Sequence, residues 1–377
     1  MIPTAVIGIG QTRYAAKRED VSMPGLVREA ALRALEDAGL EFSDIDAVVI
    51  GKAPDMFEGV ANPELFLAGA LGAVGKPIMR VHTAGSVGGS TAVVASHLIS
   101  SGTHRRVLTV AYEKQSESNA MWALSQRFPF QPPVSAGAGG YFAPIIRAYM
   151  RRTGAPDDIG IQVAVKDRRN ALLNPLAHLH LPDIDAEMVR KSPMLWEPIR
   201  YLESCPSSDG AAAMIFSADT AGCKNPAWVH ATGMRSEPML FAGRDEVNPQ
   251  AGRDCAAQLY RDAGITPAQI DTAELYVPFS WYEPMWLENV GLAESGWRTV
   301  AAGETALDGR LPINASGGVL SSNPIGASGM IRFAEAALQV RGAAGAHQVD
   351  GARFALGHAY GGGSQFFSMW IVGSERP

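Results

Sequence analysis

No dense block of lysine and arginine occurs along the 377 residues, and the formal net charge is −6. Such a chain has no charge basis for holding nucleic acid. Cysteine is nearly absent: Cys205, Cys223 and Cys255 lie far apart. Three is an odd number, which excludes a complete disulfide framework, and no CxxC or His/Cys spacing suits zinc. The three read as reduced thiols of a cytoplasmic protein. No apolar run reaches the roughly 18–20 residues of a membrane span. The opening MIPTAVIGIGQTRY lacks the basic start and long apolar segment of a signal peptide, and reads as a first strand. His178 and His180, in NPLAHLHLPDID, have no third ligand in their pattern and read as loop histidines. Neither a metal nor a resident cofactor is expected.

What is abundant is apolar surface, 47% of residues, with 40 glycines for close backbone approaches. That suffices for two domains or one large fold. The first 120 residues alternate strand and helix. Thr4–Gly8, Ile45–Gly51, Ile78–His82 and Val107–Ala111 are apolar strands. Met23–Ala38 has helical spacing through Leu26, Ala30, Leu32 and Leu35 and stops at Gly39. Continuous apolar strands between helices predict a mixed or parallel sheet covered on both faces.

The stretch of about 120–200 breaks the pattern with proline- and histidine-rich pieces between the helical segments Tyr141–Arg152 and Ile159–Arg169. It reads as a loop or lid insertion over a substrate. From Ser207–Ser217 the alternation resumes, with strands at Trp228–Arg235 and Asp271–Val277 and helices at Gln250–Ala263, Ser280–Val290 and Ile325–Arg341. ARFALGHA and SQFFSMWIVGS close the chain as strands. The second half repeats the order of the first. Two α/β lobes are expected, residues 1–220 with the insertion and residues 221–377, facing one another through their glycine turns.

Four stretches carry chemistry. In RVHTAGSVGGSTAVV, Ser86 opens a helix that is apolar all round, through Val87, Ala92, Val93, Val94, Ala95, Leu98 and Ile99. Such a helix is central, so its free N–H groups and positive dipole end are buried and face whatever sits there. Ser86 itself suits a helix cap as well as a catalytic role. The others are ELYVPFSWYE (Glu274–Glu283), SGGVLSSNPIGASG (Ser316–Gly329) and GHAYGGGS (Gly357–Ser364).

In their order and spacing these stretches resemble the thiolase superfamily over essentially the whole chain. SVGGSTA stands where the family has C-A-S-G-x-x-A, so Ser86 occupies the cysteine position. DGAAA (Asp209–Ala213) resembles a family strand. LYVPFSWYE resembles the N-E-A or H-D-x-F-S…E region, with Tyr276 near the usual His or Asn and Glu283 at the glutamate. NPIGASG resembles G-H-P-x-G-A-S-G one residue short, which leaves Asn323 or Pro324 at the base-supporting histidine. AYGGG resembles C-x-G-G-G and puts Ala359 at the second cysteine. The resemblance implies a duplicated αβαβα five-layer fold with mixed sheets and a substrate that is an acyl-CoA, the coenzyme being part of the substrate. It also implies a homodimer, with the strand IMRV compatible with the interface. The closest flavour is the nonspecific lipid-transfer, sterol-carrier-protein-X-type branch. Its steroid-side-chain members are described as aldolases working with a small OB-fold, zinc-ribbon partner.

Acyl transfer needs a thiolate, and serine is far less acidic than cysteine. With both cysteines replaced, ordinary thiolase activity is disfavoured. A retro-aldol cleavage of a β-hydroxyacyl-CoA needs a base and an oxyanion hole but no acyl-enzyme. The backbone N–H groups of Ser86 and Gly361 would form that hole. His358, titratable near neutrality, is the first candidate base and Tyr360 the second. Tyr276 and Tyr282 are further candidates, and Asn323 would orient water or the thioester carbonyl. Two rivals stand beside this reading. AGSVG with a later Asp209 and His358 keeps the order of a serine-hydrolase triad. Loss of both cysteines also fits a non-catalytic scaffold that binds acyl-CoA or lipid.

Overall fold

In a computed structural model of the chain, residues 2–53, 57–119, 137–238 and 243–377 are described. Nine strands form one sheet: β1 (Ala5–Gln11), β2 (Ala47–Lys52), β3 (Ile78–Val81), β4 (Arg106–Lys114), β7 (Asp209–Ser217), β8 (Ala227–Ser236), β9 (Thr272–Glu274), β10 (Phe354–Gly361) and β11 (Phe366–Gly373). A short hairpin, β5 (Met194–Trp196) and β6 (Ile199–Arg200), lies apart from it. The sheet order is β3-β2-β4-β7-β1-β8-β11-β10-β9. The principal helices are α1 (Met23–Ala38), α2 (Glu64–Ala70), α3 (Val87–Ser100), α4 (Gly137–Thr153), α5 (Ile159–Ala171), α6 (Gln250–Ala263), α7 (Tyr282–Asn289) and α8 (Ile325–Arg341).

The duplication is visible in the pairing. β2 runs parallel to β4, β4 antiparallel to β7, and β7 antiparallel to β1. In the second half β9 runs parallel to β10, β10 antiparallel to β11, and β11 antiparallel to β8. The halves join edge to edge through only two residue pairs, Ala5 with Trp228 and Val6 with Ala227. They therefore form one continuous sheet rather than two separate ones. α3 and α8 contact strands of both halves and each other, so they lie between them. α1 covers β1, β7 and β4 from outside, and α6 covers β8 and β11. This is the expected five-layer α/β arrangement.

Local chemistry sets these elements. α1 begins with Ser22 accepting from the Gly25 N–H and ends where Gly39 turns left-handed, at φ 65°. Its buried face, Leu26, Val27, Ala30, Ala31, Ala34 and Leu35, packs on the sheet, each large side chain contributing about 1.5–3 kcal/mol. The α3–α8 crossing depends on glycine. A Cβ on Gly88 would sit 2.4 Å from the Met330 nitrogen, a backbone contact that cannot move aside. β9 is shorter than the sequence predicts. The Leu275 N–H goes to Asn314 Oδ1 and the Tyr276 N–H to His358 Nδ1, so side chains replace the ladder there. Within the predicted insertion, α4, α5 and the β5–β6 hairpin are seen; residues 120–136 of it lie outside the described residues. Among the described residues no helix is long and apolar enough to cross a membrane.

Candidate active site

Two central helices begin at the same place. Before α3, the turn Thr83–Ser86 passes through Ala84 at φ 51°, a left-handed conformation uncommon for a residue with a side chain. That turn abuts the end of β10. A Cβ on Gly361 would lie 2.4 Å from both the Gly85 and Ser86 nitrogens, so only glycine allows the contact. The Tyr276 hydroxyl lies 3.9 Å from where a Cβ on Gly85 would be. Its phenol is also influenced by the Ser328 hydroxyl, in the first turn of α8. Tyr276 thus bridges the N-termini of α3 and α8, where unpaired N–H groups and helix dipoles favour negative charge.

From Tyr276 a polar chain runs outward. Ser328 Oγ donates to Asn323 Oδ1 at 2.8 Å, and Asn323 Nδ2 donates to the Cys205 thiol at 3.1 Å. The Asn323 backbone is fixed on Ser208 (N–H to Oγ, 3.1 Å), and its carbonyl accepts the Gln115 side-chain amide. Cys205 was read from sequence only as a reduced thiol. Its position, four residues before the DGAAA strand, was the one signal available.

On the other side of Tyr276 lies an aromatic cluster. The Tyr360 ring is edge-on to Tyr276 at 5.3 Å and stacked on Tyr282 at 5.7 Å, with Trp286 at 4.8 Å. Phe142 of α4 closes over Tyr282 and Tyr360 at 5.3 and 6.2 Å. The hydroxyls of Tyr282 and Tyr360 are buried with no hydrogen-bond partner among the described residues, a costly state unless a ligand or water completes it. Burial raises all three phenol pKa values, and Ser328 offsets part of that for Tyr276 alone.

Four sequence-derived candidates therefore meet here: Tyr276, Tyr282, Tyr360 and Asn323. Ser86 and Gly361 meet as expected, but Ser86 is no side-chain cap. Its hydroxyl donates backwards to the Thr83 carbonyl at 2.7 Å, and its own N–H donates to that carbonyl at 3.2 Å. Thr83 continues the chain through Ser90 to Ser368, at 2.6 and 2.8 Å. His358 sits one layer behind. It is fully buried against Trp286 and Phe367, its Nδ1 accepts the Tyr276 N–H at 3.3 Å, and burial pushes its pKa down to about 3. A ring so desolvated stays neutral and weakly basic. Ala359 has its methyl at the α3–α8 crossing, where Gly89 and Gly329 close on it.

The serine-hydrolase constellation does not assemble. Ser86 bonds Thr83, His358 bonds Tyr276, and Asp209 accepts from the Arg18 and Ser116 N–H groups and the Ser116 hydroxyl. His178 and His180 are each committed elsewhere, to Ser208 Oγ and the Asn174 carbonyl.

Known proteins share this architecture. A family model described as thiolase C-terminal domain-like matches residues 233–374. The acetyl-CoA acetyltransferase of Methanothermobacter thermautotrophicus is 32% identical over 381 residues, spanning 96% of this chain and 97% of that protein. The 17-hydroxy-3-oxo-4-pregnene-20-carboxyl-CoA lyase of Mycobacterium tuberculosis is 30% identical over 367 residues, spanning 90% of this chain and 91% of the lyase. Among solved structures, the Ltp2-ChsH2(DUF35) aldolase matches with a TM-score of 0.85 at 27% identity, over 100% of this chain and 99% of that one.

Proposed function

The chain belongs to the thiolase superfamily, in its lipid-transfer, sterol-carrier-type branch, and from that footing we propose that it is a carbon–carbon lyase. Its substrate is a β-hydroxyacyl-CoA with a bulky lipid or steroid-type side chain, cleaved by a retro-aldol reaction. The observation that carries this reading is the Tyr276 hydroxyl, set beside the Ser86–Gly361 contact at the start of both central helices. The family's two cysteine positions hold Ser86 and Ala359, so an acyl-enzyme has no thiol there to form on.

The geometry of the cluster supports the following steps. Tyr360 takes the proton of the β-hydroxyl in the small fraction of molecules in which its phenol, whose pKa burial raises, is ionised. The Cα–Cβ bond breaks, and a ketone or aldehyde leaves. The electron pair stays on the thioester enolate, whose oxygen rests beside the Tyr276 hydroxyl at the Ser86–Gly361 junction, where the positive ends of both central helices favour it. The Ser86 N–H, held by the Thr83 carbonyl, is not the free donor that the sequence leads one to expect. Cα then takes up a proton. Tyr282 stacks against Tyr360 and holds its plane, and Asn323 orients the thioester carbonyl through Ser328 and Tyr276. His358 positions the Tyr276 backbone and transfers no proton. These are proton transfers and one bond cleavage, so no resident cofactor is required beyond the coenzyme A of the substrate.

The lyase named among the relatives and the aldolase among the solved structures support this choice over acyl transfer. The aldolase is named together with a DUF35 protein, which supports a heterocomplex with a small OB-fold, zinc-ribbon partner. A homodimer through the free edge of β3 is part of the same proposal. That edge lies beside α2, whose Leu65 and Phe66 are 78% and 58% exposed. A cytoplasmic location suits the three reduced thiols.

The test is turnover of a β-hydroxyacyl-CoA carrying a branched β-substituent, with and without such a partner. Release of a carbonyl compound and a shorter acyl-CoA supports the lyase. Acetyl transfer to CoA would replace it with an acyltransferase, and no turnover in any combination would leave a binding scaffold.

A further inference from the structure

Among the described residues Cys205 is the one thiol bonded into this polar chain, through Asn323. Tyr276, Tyr282, Tyr360 and Asn323 are all at most 7% exposed, whereas Cys205 is half-buried. The strand end holding it is fixed to the Tyr276 segment, with the Cys205 N–H on the Pro278 carbonyl at 2.9 Å and Ser204 bridged to Phe279.

A buried cation stands behind it. Arg168 is 1% exposed, and its guanidinium bonds only carbonyls: Leu202 at 3.1 Å, Ser204 at 3.0 Å and Leu320 at 3.1 Å. No carboxylate hydrogen-bonds it among the described residues, and both Asp167 and the Cys205 thiol act on its charge electrostatically. A second observation points to a ligand here. The Tyr360 hydroxyl has no hydrogen-bond partner among the described residues, its residue is 3% exposed, and its ring is edge-on to Tyr276 at 5.3 Å.

We propose that the Cys205 thiol is the acid that delivers the proton to Cα of the thioester enolate, taking over the role left open by the missing cysteine at position 359. The inference rests on the retro-aldol reading and adds a catalytic residue to it. Burial keeps the sulfur protonated before the step, with its pKa pushed up to about 12. The S–H bond breaks, its proton forms the new Cα–H bond with the pair freed from the Cα–Cβ bond, and a thiolate remains. The Asn323 N–H and the Arg168 charge stabilise that thiolate. The phenol that accepted the β-hydroxyl proton returns it to the sulfur, directly or through water, which regenerates the phenolate and balances the cycle.

The test is exchange of the Cα protons of propionyl-CoA in D2O, a partial reaction that needs no cleavage. Wild type exchanges, Cys205→Ala slows exchange at least 100-fold, and Cys205→Ser retains part of the rate. Should the variants not fold, iodoacetamide on the wild type gives a second reading: alkylation of Cys205, located by mass spectrometry, stops exchange, and propionyl-CoA protects the thiol. Exchange at the wild-type rate in Cys205→Ala, or after alkylation of Cys205, overturns the inference and leaves the lyase reading intact. Exchange that depends on Cys205 without cleavage of any β-hydroxyacyl-CoA supports the inference and removes the lyase. Absence of both activities in wild type overturns both.

Discussion

Gly361 lies so close to Ser86 that a Cβ built on it would come within 2.4 Å of the Ser86 backbone nitrogen. The contact joins the two halves of the duplicated fold at the point where the proposed enolate oxygen would rest. Gly361→Ala must push these turns apart, because both clashing atoms belong to backbone. Overpacking of this kind costs about 1–3 kcal/mol. The expected result is a lowered Tm together with at least a 100-fold loss of cleavage, read by thermal denaturation and turnover on the same preparation.

Tyr360→Phe separates chemistry from packing. The hydroxyl it removes has no protein partner, so stability stays level or rises slightly. Turnover falls by about 10²–10⁴-fold, the usual worth of a positioned acid or base. Because burial raises the phenol pKa, the cleavage rate of wild type climbs with pH through the neutral and mildly alkaline range. A rate that instead plateaus above the ordinary histidine pKa would return the base to His358.

His358 has an effect on acid stability rather than on catalysis. Its pKa is about 3 when folded and about 6.5 when unfolded. A depressed histidine contributes stability that is fully present above the unfolded value and is lost as pH falls from about 6.5 towards 3, on the order of 4 kcal/mol in all. His358→Asn keeps an acceptor for the Tyr276 N–H and removes this titration, so its denaturation midpoint depends less on pH over that window. Glu58 and Glu283, both pushed up to about 7 by burial, act with the opposite sign. The difference between variant and wild type therefore carries the test, measured by urea denaturation from pH 7 to 4.

Ser86 holds its turn through Thr83, its hydroxyl donating to the Thr83 carbonyl and side chain. Ser86→Ala loses about 1 kcal/mol of stability and keeps turnover within a few-fold. A fluorophosphonate probe leaves Ser86 unlabelled in wild type, as peptide mass mapping would show.

Sequence and structure agree where the governing interactions are local. The bounds of α1, α6 and α8 are those read from apolar spacing, because each ends on a glycine that turns left-handed: Gly39, Gly264 and Gly342. The glycine turns and the aromatic segment were legible as chemistry for the same reason. β9 was overextended because its ladder is cut off by Asn314 and His358, partners far along the chain. The site was legible only in part. The contact of Cys205 with Asn323 spans 118 residues, so no spacing announces it. His358 was visible as a titratable residue, but the burial that disqualifies it as a base belongs to the assembled core.

The most direct measurement follows a β-hydroxyacyl-CoA in D2O without added coenzyme A. A free ketone or aldehyde and a shorter acyl-CoA that carries at least one deuterium at Cα are expected. Products that form only when coenzyme A is supplied, with the acyl group passed to it, would contradict the account.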